Sequence, residues 1–481
     1  MVRLALVTLS VLVGFGAFAQ NYRPLPQPRY MVPPSAQQVN AQQTRNFGGP
    51  TPLPFPGRLQ QTNDPSQQQP PTQTPAEKIG QNLCQQVFSG RVFRYDFVFD
   101  PQFRLQNPEL VFRDQVREVI EAAGVCQSWQ LLPKISANDP VSRVLLMSSL
   151  GQQTTVQFTY GSNGLITNFS VVDMVFPKVI IRSWAEVSGQ LARLPGLATM
   201  TAGSYSIGLM NLRPSVTVPI GNAASLYVLK AVEEAIYAGT AHWTDLSPIR
   251  DEWKSFPSGE MQTWPAGRMV STALFAENMI RINDNTAMDH LIHLLGRSAV
   301  QDALSKGGQQ TTTLPFLRTD ELFKLKWGAP AEWLPKYAKM SSDERAAFLE
   351  GDLKTIPLTS VGHNGLSMFQ PTYIRQAEWF ATTTDLCKVM QSFLVRHDPV
   401  IMKLMSLNTP FIDAGPGKPA LYAAYKEGSE PGVLSMTYLI LDRRNQWGCV
   451  SAAWSNEQHT VNTWVLRDIM RKSLKVYDPD L

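Results

Sequence analysis

Apolar and polar positions divide the chain into stretches of different character. An apolar run starts at Leu4 and leads to Ala17-Phe18-Ala19. From Gln20 to Thr74 the residues are mostly Pro, Gln, Asn and Thr, with neither a helical nor a strand period. Periodicity returns at Pro75. Ala76 to Phe88 and Leu110 to Gly124 have amphipathic helical spacing, the second with Val111, Val116, Val119 and Ile120 as its apolar positions. Strand-like runs follow at Arg143 to Ser149, Thr154 to Tyr160 and Ile166 to Val172, the last entered through the turn signal Gly161-Ser162-Asn163-Gly164. Helices first and an antiparallel meander afterwards predict a small α+β unit over residues 75–177.

The remainder, 178–481, has a length that suits one large α/β-type domain. Ser183 to Leu194 reads as a helix, and Ala198 to Asn211 and Pro214 to Pro219 read as strands. At the far end Leu421 to Lys426, Leu434 to Asp442 and Gly448 to Trp454 read as three strands, the last two joined by the turn Arg443-Arg444-Asn445-Gln446. A closing helix is expected from Val461 to Val476. Strands from both ends around a helix-rich middle predict an antiparallel sheet with a helical insert.

Charge and compartment narrow the function. A formal net charge of +4 over 481 residues, without a Lys/Arg block, leaves no electrostatic footprint for nucleic acid. Arg3, the apolar run and the small-x-small Ala17-Phe18-Ala19 predict an export signal over 1–19, too short and too glycine-broken to span a bilayer. No later segment is long and apolar enough to cross, so the expected location is secreted or periplasmic. The stretch 20–74 cannot bury enough surface to offset its chain entropy and is expected to be a disordered tether. Export permits disulfides, and the four cysteines fall two and two, predicting Cys84 with Cys126 and Cys387 with Cys449.

Three islands carry candidate chemistry. The first is Pro219 to Lys230, with Gly221-Asn222-Ala223-Ala224-Ser225 at its start. The second is Asn278 to Ala287, containing Asn283-Asp284-Asn285-Thr286-Ala287. The third is Lys426-Glu427-Gly428-Ser429-Glu430-Pro431-Gly432. In order and spacing they resemble the S-x-x-K, S-D-N and K-T-G motifs of penicillin-recognising serine hydrolases. Phe256-Pro257-Ser258-Gly259, Pro315-Phe316-Leu317 and Glu378-Trp379-Phe380-Ala381-Thr382 support the likeness. The chain is similar to the class A β-lactamase-like, penicillin-binding family, in the branch that includes the cone-plus-lactamase protein of clavulanic acid gene clusters. The resemblance covers most of the chain from Ser183 onward. The unit over 75–177 resembles in architecture the cone-shaped, steroid-isomerase-like modules that precede such domains, where a pocket inside the cone is an open option.

In an active member of the family, the resemblance implies, a Ser attacks the lactam or ester carbonyl and a Lys one helical turn later takes its proton. The shuttle Ser relays a proton to the leaving nitrogen, and the K-T-G strand supplies a cation and backbone donors. Here Asn222 stands at the nucleophile position and Ser225 at the base position. An amide is no nucleophile, and Asn222 reads as a helix N-cap. Ser225 is the best remaining nucleophile, but its i+3 partner is Val228, and Lys230 points to another face. Asn283 replaces the shuttle Ser, while Asp284 and Asn285 remain as loop braces. Lys426 is in place; Glu427 stands where a small residue is usual and would weaken the pull on an anionic substrate. Gly428 completes the third motif.

Other candidates have structural readings. His290 and His293 share a helix face without a third ligand, so no metal and no cofactor is expected. Glu321 aligns with a glutamate that the resemblance makes common in that branch and otherwise reads as a surface or salt-bridged residue; Glu378 beside Trp379 has the same two readings, and neither lies in an E-x-x-L-N pattern. The favoured reading is a secreted pseudoenzyme that binds a β-lactam-like or cell-wall-like small molecule, or a partner, without acylation. The alternative is an active hydrolase using Ser225 and Lys426 in a rearranged site. A ligand carrier centred on the cone comes third.

Overall fold

Alternating burial builds the first sheet. In Ser142–Ser148 the side chains of Ser142, Val144 and Leu146 are buried and their neighbours are not, and Gln153–Tyr160 repeats the pattern with Thr154, Val156 and Phe158. A computed structural model of the chain describes residues 3–4, 73–91, 93–136, 138–177, 179–204, 208–306, 314–362 and 370–481. The predicted signal and tether lie outside these residues apart from 3–4 and 73–74. Arg3–Leu4 pairs antiparallel with Met174 and Val175 at the edge of the first sheet.

The sheet runs in the order 3–4, 166–175, 153–160, 142–148, 126–132, all antiparallel. Helices Pro75–Asn82, Pro101–Gln106 and Glu109–Ala123 cover it. The last helix buries Phe112, Val116 and Ile120, at four-residue spacing, while Val111 faces solvent. Gly124, at φ +84°, ends it. The interior is aromatic: Phe99 packs 4.7 Å from Phe103 and 4.7 Å from Phe112, ring centre to ring centre. Rings therefore fill much of the core beside this sheet. The strand Cys126–Leu132 was not expected, because its burial alternates only weakly. Tertiary contact places it: Trp129 lies against Gly80 so closely that a Cβ there would sit 2.9 Å from the ring. The disulfide Cys84–Cys126 joins that strand to the turns after the first helix.

The second sheet runs 422–430, 433–441, 447–455, 197–204, 208–212, again antiparallel. Val433–Leu441 and Trp447–Ser455 are buried almost throughout, as befits strands covered on both faces. One face carries the helices Trp184–Ala192 and Thr463–Tyr477. The other carries Thr383–Ser392, joined to the sheet by the disulfide Cys387–Cys449, and the helical insert with Ser225–Tyr237 at its centre. Both predicted disulfides are present. The single strand expected over Ala198 to Asn211 is instead two, Leu197–Ser204 and Gly208–Leu212, paired antiparallel. Of the strand expected over Pro214 to Pro219, only Val218–Pro219 is extended and paired, against Phe380–Ala381. Among the described residues, no helix is long and apolar enough to cross a membrane.

The two sheets belong to one compact unit. Phe176 stacks on Trp464 at 5.2 Å, and Thr463 Oγ1 donates to Glu121 O, so the closing helix is seated against the helix of the first sheet.

Candidate functional site

The three islands converge where the strand Tyr422–Glu430 passes the start of the central helix. Gly221–Ala224 forms a short 3₁₀ turn that runs into Ser225–Tyr237. Asn222 does not cap that helix, since Ala224 is the N-cap residue and no side chain serves there. The Asn222 amide instead donates to Asn285 Oδ1 at 3.2 Å, and Asn285 Nδ2 donates onward to Phe256 O at 3.0 Å. The Ser225 hydroxyl is spent on its own turn, donating to Asn222 O at 2.8 Å, with 1% of the residue exposed. Lys230 is buried on another face against Glu233 and Glu234.

The second island braces its loop. Asn283 adopts φ +55°, a left-handed conformation that Asn tolerates better than most residues. Asp284 caps the helix Asn285–Leu295 through Ala287 N at 2.9 Å, and its other oxygen accepts from Glu260 N and Met261 N. Burial raises its pKa, against the pull of those amides. Gly259, at φ +107°, is needed here: a Cβ would lie 2.3 Å from Asp284 Cγ.

The third island meets the second through Lys426, which is 3% exposed. Its ammonium donates to Asn283 Oδ1 at 2.5 Å, Ile280 O at 3.1 Å and Met279 O at 3.3 Å, one oxygen for each of its three protons. Burial pulls its pKa down to about 7, while Glu427 pushes the other way. Glu427 itself is turned to the opposite face, as strand alternation dictates. There it accepts from Arg467 at 2.7 Å and from Tyr425 OH at 2.5 Å. Its carboxylate is thus ion-paired with Arg467 on the far side of the sheet, while its charge still acts on Lys426.

Gly428 decides the spacing. A Cβ at this position would lie 2.0 Å from Ile220 O and 2.4 Å from Ala223 N, so the strand rests directly on the turn that carries Asn222. Ser435 Oγ, on the next strand, donates to Ile220 O at 2.8 Å, and Ile220 N donates to Trp379 O at 3.0 Å. Turn and strand are thereby tied together.

Around this centre the other sequence candidates are ion-paired or packed. Glu321 takes Arg297 and Arg318, each at 2.6 Å. His290 is buried between Thr286 O and Arg250 N, His293 stacks on Trp253, and burial lowers both imidazole pKa values, His293 to about 4. Among the described residues no group of His, Cys, Asp and Glu could hold a metal ion. Glu378 forms a largely buried cluster with Lys326 and Glu430, the Lys326 amine lying 2.7 and 2.9 Å from the two Glu430 oxygens. Burial and the neighbouring Glu378 raise the Glu430 pKa well above the carboxylate range. Sequence reading missed Lys326, Ser435 and Arg467; no spacing links them to the islands, because only tertiary packing brings them near.

Residues 203–350 match the model of the β-lactamase enzyme family. The match includes the first two islands and ends before Lys426. No curated protein sequence matches the chain. Among solved structures, a β-lactamase from Sphaerobacter thermophilus is 18% identical, covering 62% of this chain and 98% of its own at a TM-score of 0.46. The penicillin-binding protein PBP-A is 14% identical, with 62% and 96% covered and a TM-score of 0.44. A class A β-lactamase representative from Bacteroides cellulosilyticus is 11% identical, with 62% and 100% covered and a TM-score of 0.43. Residues 203–350, which hold the Asn222 turn and the Asn283-Asp284-Asn285 loop, are thus similar to the β-lactamase enzyme family.

Proposed function

We propose that this chain is a non-acylating member of its family, an exported binding or scaffold module that takes a β-lactam-like or cell-wall-like ligand or a partner without hydrolysing it. One observation carries the reading. The hydroxyl at the motif helix is buried and back-bonded to Asn222 O, and the only motif amine is held by Asn283 and two carbonyls. A serine without a base in hydrogen-bond reach stays a weak nucleophile. Removing the nucleophile alone costs a serine hydrolase about a millionfold in rate. Two disulfides agree with a compartment outside the cytoplasm.

The test is incubation with a fluorescent penicillin and a chromogenic cephalosporin, followed by intact-mass spectrometry. No adduct and no turnover are expected. A stoichiometric acyl adduct on Ser225 would sink the reading and establish the rearranged-hydrolase alternative.

A further inference from the structure

A second polar region lies away from the islands, where the segment after Trp454 meets the first sheet. It encloses a cavity of about 260 Å³. Ser89, Arg91, Ser148, His459, Thr460 and Asn462 are among its lining residues. Three of these side chains carry buried atoms with no hydrogen-bond partner: His459 Nδ1, Thr460 Oγ1 and Asn462 Nδ2. Thr460 is 7% exposed and Asn462 3%. An unpaired buried polar atom is unfavourable, so three at one cavity are a standing cost that a ligand would relieve.

Two glycines shape the place. A Cβ at Gly90 would lie 3.7 Å from His459 Nδ1 and 3.9 Å from Thr460 Oγ1. A Cβ at Gly124 would lie 3.3 Å from both Asn462 Nδ2 and Ser148 Oγ. The 15-residue helix Thr463–Tyr477 begins here, with Asn462 as its N-cap, so the positive end of its dipole faces this region. Among the described lining residues there is no Asp or Glu, whereas there are one Arg, one His and several hydroxyl and amide donors.

We propose that this cavity is a binding site for a small oxyanion, of phosphate or carboxylate type, held by Arg91, Thr460 and Asn462 at the start of the closing helix. A guanidinium, a helix N-terminus and unpaired polar side chains, with no carboxylate among the described lining residues, suit an anion better than a cation. The ring of His459 fits the same charge balance: burial, then the Arg91 charge, lower its pKa, and an anion would lift it. The site is separate from the motif cleft and stands whether or not acylation occurs there.

The experiment is thermal unfolding of the full chain in sodium phosphate against sodium chloride at matched ionic strength, with sodium acetate as a parallel arm. Phosphate, acetate or both are expected to raise the Tm above the chloride value, with a saturable midpoint. Arg91→Gln and Thr460→Val are each expected to weaken that midpoint by about tenfold, the loss of one charge-assisted or newly satisfied hydrogen bond. Equal Tm values in all three salts overturn the proposal, and so does an anion effect that survives both substitutions. Should Thr460→Val fail to fold, Arg91→Gln, on an exposed side chain, decides alone.

Discussion

The motif cleft and the cavity at the closing helix treat polar groups in opposite ways. In the cleft Ser225, Asn222, Asn285 and Lys426 all hydrogen-bond within the protein, and the strand at Gly428 leaves no space for a Cβ. At the cavity, His459, Thr460 and Asn462 keep unpaired atoms beside about 260 Å³ of space. In the cleft the polar side chains are satisfied by neighbours, the observation on which the non-acylating proposal rests. The cavity bears the cost of unmet hydrogen bonds, which is how a binding site looks before its ligand arrives.

The largest effect is expected at the buried cluster that supports the third strand. Lys326→Met leaves Glu378 and Glu430 without their cation and should cost about 3 to 5 kcal/mol in chemical denaturation. Glu430 already has a raised folded pKa, so carboxylates there are tolerated protonated and resisted charged. Stability of the variant is therefore retained near the ordinary carboxylate pKa and lost as pH rises, and its deficit should shrink on acidification. A deficit independent of pH would mean that the two carboxylates do not drive it.

Next comes Gly428→Ala. The added Cβ meets backbone atoms of the Asn222 turn, and a loss of about 2 to 3 kcal/mol is expected. A neutral result would show that turn and strand can part, reopening the cleft and the alternative reading. The pair Asn222→Ser with Ser225→Lys restores the first motif in name; with Asn283 unchanged and Gly428 on the turn, only a weak, substoichiometric penicillin adduct is expected by mass spectrometry.

A smaller effect is read through pH. Lys426 has a folded pKa of about 7 against an ordinary 10.5, so the unfolded chain binds the extra proton in between. Its contribution to stability therefore rises with pH from about 7 towards 10.5. Unfolding midpoints of wild type and Lys426→Met, compared across that window, should diverge in this direction; parallel curves would show an amine that stays charged when folded. Smallest of all, Thr460→Val removes a buried, unpaired hydroxyl and should raise stability without anion by about 1 kcal/mol. A loss instead would reveal a hidden partner for Thr460 and blur the contrast with the cleft.

Sequence alone went far on local matters. The helices at Glu109–Ala123 and Thr463–Tyr477 and the strands at Val433–Leu441 and Trp447–Ser455 were legible, because periods of 3.6 and 2 and the turn residues between them are local signals. The cysteines' two-and-two placement along the chain foretold both disulfides. The order of the three islands pointed to the family whose model matches residues 203–350. Packing decided the rest. The hairpin Leu197–Ser204 and Gly208–Leu212 read as one strand, and Cys126–Leu132 went unseen because its place depends on Trp129 meeting Gly80. Asn222 looked like a cap and is an amide bridge to Asn285; Glu427 looked like part of the cleft and pairs with Arg467 behind the sheet. The residue types at the motif positions, Asn222, Ser225 and Asn283 among them, are read from the sequence, since identity is a local property. Whether those groups are free or satisfied depends on partners more than a hundred residues away, such as Lys426 for Asn283, and only the tertiary structure brings those partners within hydrogen-bond reach.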